Sequence, residues 1–124
     1  MLKTTLPFAV FALCATGAVA DEEYNYAPAC EAPAPPSIGT PATEAELNAA
    51  HDAVTGFLSV SDSYQRCLGL ALGKQQDTAF FMHSNVPKHV VKQIEGRVAA
   101  NQKQKEDIAA NYNAAALRFK TGAP

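Results

Sequence analysis

From residue 43 onward, apolar side chains recur at steps of three and four. Leu47, Val54, Phe57, Leu58, Tyr64, Cys67, Leu68 and Leu72 form one stripe. Val90, Val91, Ile94, Val98, Ile108, Tyr112, Ala115, Ala116 and Phe119 form a second. That period marks amphipathic helices. The first helix is predicted over 43–73: Thr43-x-x-Glu46 reads as a capping box, Glu44 and Glu46 lie where the helix dipole favours acids, and Gly73 marks the stop. The second is predicted over 86–120, with Pro87 in its first turn and Ser84 or Asn85 as its cap. Thr121-Gly122-Ala123-Pro124 supplies its stop chemistry. Asn101 to Asp107 carries no apolar side chain, so the second stripe is expected to fade mid-helix.

The link at 74–86 is polar in Lys74-Gln75-Gln76-Asp77, apolar in Thr78-Ala79-Phe80-Phe81-Met82, and turn-like in His83-Ser84-Asn85. Phe80-Phe81-Met82 has two readings. In the first, the helix runs on past Gly73, or the turn folds back and buries these side chains. In the second they form an exposed apolar tip that docks on a partner protein or a membrane interface.

Upstream, the pattern changes twice. Residues 21–42 hold Pro28, Pro33, Pro35, Pro36 and Pro41, which resist helix and favour an extended polyproline-II arm. Residues 1–20 read as a secretory signal: Lys3 gives the positive start, Leu6 to Ala20 is an apolar stretch shorter than a membrane span, and Ala18-Val19-Ala20 is a cleavage site. Cleavage after Ala20 would remove Cys14 and leave Cys30 and Cys67, which pair in an oxidising compartment. Neither C-x-x-C spacing nor an adjacent His supports a redox or metal role for the two.

Lengths then tie these parts together. Cys30 to Thr43 spans about 40 Å at polyproline-II rise, and Thr43 to Cys67 about 36 Å at helical rise. The arm is therefore expected to fold back antiparallel along the first helix, with Cys30–Cys67 pinning its tip. The predicted fold class is all-α: an antiparallel two-helix hairpin over 43–120, with the extended proline-rich arm held by a disulfide.

Composition narrows the function. The 124 residues are 48% hydrophobic and 18% charged, with no Trp and a net charge of −2, far from the basic balance of a nucleic-acid binder. The charge is unevenly placed. Asp21, Glu22, Glu23, Glu31, Glu44, Glu46, Asp52 and Asp62 face Arg66 alone in residues 21–73, for a net −7. Lys74, Lys88, Lys92, Arg97, Lys103, Lys105, Arg118 and Lys120 outnumber four acids in residues 74–124, for a net +4. An acidic helix beside a basic one favours the hairpin, although each exposed contact is worth under about 1 kcal/mol. Two helices and an arm also make a thin core for this length, so the disulfide, self-association or a larger partner must add stability.

Cys30 with its following prolines and Ile38, then Ala42-Thr43-Glu44-Ala45-Glu46-Leu47, Ala50, Ala53-Val54, Ser61-Asp62-x-Tyr64 and Cys67-Leu68, resembles a group of small exported proteobacterial proteins without an assigned activity. The closing Tyr112-Asn113-Ala114 through Phe119-Lys120 is similar to that group as well. The stretch from Cys30 to Leu68 carries the likeness best, whereas residues 73–86, including Phe80-Phe81-Met82-His83, depart from it. The resemblance implies export, the Cys pair and a helical fold, and supplies no catalytic residues.

The remaining chemistry is sparse. The sequence has no G-x-S-x-G, H-E-x-x-H or Gly-rich phosphate loop. Ser61, Asp62 and Ser63 read as a solvated helix patch, and His51 as a structural residue bordering the apolar face. Met82, His83 and His89 flank Pro87 and offer a soft thioether with two imidazoles, a donor set suited to copper or zinc. The function expected is therefore a small non-catalytic periplasmic or exported protein, without a cofactor, acting as an accessory or interaction subunit of the cell envelope. Its seam would be Leu47, Val54, Phe57, Leu68, Ile94, Val98, Ile108, Tyr112 and Phe119, and its partner an envelope protein or a second copy. The alternative is a periplasmic metal binder using Met82, His83 and His89. A third reading, contact of the basic second helix with a membrane surface, is less favoured.

Overall fold

A computed structural model describes residues 23–122. The expected signal sequence, with Cys14 and the cleavage site, lies outside the described residues. Two helices pack as a hairpin: α1 (Glu44–Phe81, 38 residues) and α2 (Lys88–Thr121, 34 residues). The capping box forms as expected. The Thr43 hydroxyl accepts from the Glu46 N–H, and the Glu46 carboxylate accepts from the N–H groups of Thr43 and Ala42.

Three boundary expectations need correction. α1 does not stop at Gly73 but continues to Phe81. One interior glycine costs about 1 kcal/mol, too little to end a helix that has no proline soon after it, and beyond the helix's own backbone no atom stands within 4 Å of where a Gly73 Cβ would be. The stop is made by His83, held in the left-handed region at φ 50°. Its N–H donates to the Phe80 carbonyl at 3.1 Å, while that of Ser84 reaches Ala79 at 2.9 Å. This is the helix-ending pair of bonds usually made around a glycine. Ser84 is thereby committed to α1 and is not the cap of α2, and neither is Asn85. The N-cap is Pro87, without a side-chain acceptor. At the far end, Gly122 closes α2 at φ 65° as expected.

The seam is layered. Tyr64, Leu68, Val90 and Ile94 form one apolar cluster with Ala27 and Cys30 of the arm. Val54, Phe57 and Ile108 form a second, against which Ile38 of the arm packs. Between them lies a polar layer that overturns two expectations. Ser61 is fully buried instead of solvated, and Asn101 is 2% exposed where the stripe was expected to fade. Asn101 donates to the Ser61 hydroxyl at 3.1 Å and accepts from Gln65 at 2.9 Å. A buried polar layer of this kind fixes register, because a slipped pairing would leave the amide unsatisfied. Asp62 stays exposed and pairs with Lys105 across the seam. Among the other expected seam residues, Leu47, Val98, Tyr112 and Phe119 are half-buried.

The arm makes a third layer. It runs antiparallel to α1, as expected, and the disulfide joins Cys30 to Cys67 with their Cα atoms 5.7 Å apart. It does not lie on α1 alone. Apart from the Ala42–Glu46 bond at its end, its polar contacts go to α2, where Gln93 accepts from the Tyr26 N–H at 3.0 Å and donates to the Tyr24 carbonyl at 2.7 Å. Arg97 does more. Its guanidinium donates to the Tyr64 hydroxyl, the Asn25 side-chain carbonyl and the backbone carbonyls of Ala27 and Cys30, at 2.7–3.3 Å. It thereby ties arm, α1 and α2 together. Arg97→Met is expected to lower stability by about 2–3 kcal/mol, because it leaves those acceptors unpaired. Arg97→Lys should recover less than half, since an ammonium cannot reproduce the fork. Urea denaturation of the three proteins measures both.

Candidate functional site

The extension of α1 decides what lies at the turn end of the hairpin. It carries Phe80 and Phe81 to the last turn of the helix, and Met82 follows as its C-cap. Both parts of the two-way expectation for this segment bear on the result. The helix does run past Gly73, yet it does not bury the side chains: Phe80, Phe81 and Met82 are 78%, 80% and 73% exposed. The two phenyl rings touch edge to face, with centroids 6.0 Å apart. Each ring keeps most of its surface in water, which is unfavourable by about 25 cal/mol per Å². Three adjacent large apolar side chains left in this state are the strongest sign of a docking surface in the described residues.

An exposed stripe continues up α1, charged in its middle and apolar at both ends. Leu70 is 65% exposed, and Lys74 and Asp77 lie between it and Phe81 on the side of the helix turned away from α2. The sequence pattern gives Leu70 no role, since it falls off the core stripe, and reads Lys74 to Asp77 as a polar link. The signal that finds them is a second stripe, Leu70-Lys74-Asp77-Phe81, at the same three- and four-residue steps on the opposite side of one continuous helix. A helix predicted to end at Gly73 could not show it. Beside this stripe, a recess of about 340 Å³ opens between arm and helix, walled by Tyr26, Pro28, Cys30, Leu70 and Ala71.

The other candidate, Met82, His83 and His89, is spread over three backbone environments. Met82 caps α1, His83 is the left-handed residue after it, and His89 lies in the first turn of α2. His89 is already engaged by the arm: its Nε2 lies 2.9 Å from the Tyr26 hydroxyl, and the two rings are 5.6 Å apart. A metal at Nε2 would have to displace that contact. Among the described residues, no three or more His, Cys, Asp or Glu side chains are grouped so as to hold a metal ion. His51 is exposed and lies edge-on to Tyr112 with ring centroids 5.7 Å apart.

Electrostatics elsewhere is that of a solvated surface. The Lys103 ammonium is held above its usual value by its hydrogen bond to Asp107 and then by the charge of that carboxylate, one helical turn away. No helix in the described residues is long and apolar enough to cross a membrane. The chain matches no family profile, no curated protein and no solved structure.

Proposed function

We propose that this chain is an exported, non-catalytic accessory subunit of the cell envelope that acts by docking through its hairpin tip. The observation that carries this reading is the joint exposure of Phe80, Phe81 and Met82 on the end of a helix whose opposite end and flanks are held by a capping box, a disulfide and the arm. A rigid rod with an apolar end suits placement of one body against another. The disulfide supports an oxidising compartment, and the export reading adds the signal at residues 1–20.

Phe80→Asp with Phe81→Asp tests the reading. The double variant is expected to abolish crosslinking of the tip to its partner in intact cells while leaving far-UV helicity unchanged. Retained crosslinking, or loss of helicity, overturns the docking role of the two rings.

A further inference from the structure

Resting on the reading of the tip as a docking surface, we propose that the occupant of the outward face of α1 at that end is a second copy of this chain, bound antiparallel about a two-fold axis between Lys74 and Asp77. Leu70, Lys74, Asp77 and Phe81 follow one another at steps of four, three and four. On an α-helix these steps keep all four within an arc of about 60°, the narrow seam used when two helices pair. All four are exposed, off the seam with α2, and Leu70 and Lys74 border the recess beside the arm.

The order of the four residues matters more than their exposure. Read in either direction, the stripe is apolar, charged, oppositely charged, apolar. Two copies laid antiparallel therefore place Leu70 against Phe81 of the other copy and Lys74 against Asp77 of the other copy, and each contact occurs twice. A two-fold interface requires such self-complementarity, since the same patch serves on both sides. A parallel pairing would set Lys74 on Lys74 and Asp77 on Asp77, which is repulsive. Lys74 and Asp77 also cancel in charge, so the faces meet without net repulsion. The facing Lys–Asp layer selects the antiparallel register, as the Ser61–Asn101 layer does inside each hairpin.

The stripe spans three helical turns with four residues per copy, so the interface is of the small, transient kind and a dissociation constant on the order of 10 µM is expected. The protein as recovered from the cells that make it is examined by sedimentation velocity from about 1 to 500 µM, roughly a decade below to two decades above the expected constant. Lys74→Asp and Asp77→Lys are each expected to weaken the dimer at least tenfold, and the two together to restore it to within threefold of the parent. Phe81→Ser weakens it without rescue. A photoreactive residue at position 81 should crosslink to the Leu70 region of a second copy. A chain that stays monomeric throughout, a dimer indifferent to the single charge reversals, or a double reversal that fails to restore it overturns the inference. If position 81 in intact cells captures a different protein or a lipid and never a second copy, the self-pairing falls while the docking reading stands. If it captures nothing, both fall.

Discussion

Cys30→Ala with Cys67→Ala is expected to lower the melting temperature by about 15–30 °C. The disulfide closes a loop of 37 positions. In the chain-entropy treatment its loss costs about 4 kcal/mol, and each kcal/mol shifts the midpoint of a domain this size by about 4–8 °C. The cost is felt chiefly at one place. Cys30 and Ala27 are part of the same buried cluster as Leu68 and Ile94, so an untied arm uncovers the upper half of the seam. Arg97 and Gln93 still hold the arm by hydrogen bonds, but these yield only about 1 kcal/mol each once water competes for them. The variant should therefore remain helical at low temperature while the part of the arm around Ala27 and Cys30 becomes open to protease. Circular dichroism melts of the parent with and without reductant, beside the double variant, measure this. Coincident melts under all three conditions would show that the covalent tie contributes nothing.

The same cluster explains how so thin a molecule has an interior. Two helices alone would leave one flank of the seam open along its length. The arm closes that flank, contributing Ala27 and Cys30 to one apolar cluster and Ile38 to the other. Proline suits this work. It fixes the extended conformation before folding, so laying the arm down costs less backbone entropy than ordering a flexible strand. Three layers, one of them a polypeptide without regular secondary structure, thus do what a third helix does in a bundle.

How far this was legible from residues varies by element. The stripes from Val54 to Leu68 and from Val90 to Ile108 fix the seam, because burial and helical period coincide there. The disulfide followed from pairing arithmetic, and the direction of the arm from two matching lengths. Three things were hidden, each for a physical reason. The end of α1 was misplaced because glycine weakens a helix without stopping it, whereas the stop actually used is a histidine at positive φ, a conformation few non-glycine residues adopt. The polar layer was invisible because Ser61 and Asn101 look solvated singly and become buried only as partners forty positions apart. The arm's attachment to α2 depends on Gln93 and Arg97, polar residues at the edge of the stripe, most of whose partners are backbone groups that no sequence pattern marks. The outward stripe on α1 stayed unread for the first of these reasons.

Leu68→Ala is expected to cost about 3–4 kcal/mol, the second largest effect in the molecule. Leu68 is fully buried, and truncating such a side chain removes its transfer energy and leaves a cavity that rigid neighbours do not fill. Those neighbours are Tyr64, Val90 and Ile94 on the helices and Ala27 and Cys30 on the arm, so the cavity borders all three layers. Val54→Ala, in the second cluster, is expected to cost about 2 kcal/mol, because Val54 loses fewer atoms and already touches solvent. Urea denaturation of each variant gives these values. The informative experiment is the cycle combining Leu68→Ala with the double cysteine replacement. If the arm covers Leu68 only while the disulfide holds it, the two changes share a mechanism, and their combined cost falls short of additivity by about 1 kcal/mol or more. Val54→Ala with the same cysteine replacement lies on the other side of the Ser61–Asn101 layer and should add within about 0.5 kcal/mol. Additivity at Leu68 and coupling at Val54 would reverse the assignment and place the arm's contribution at Ile38 instead of Cys30.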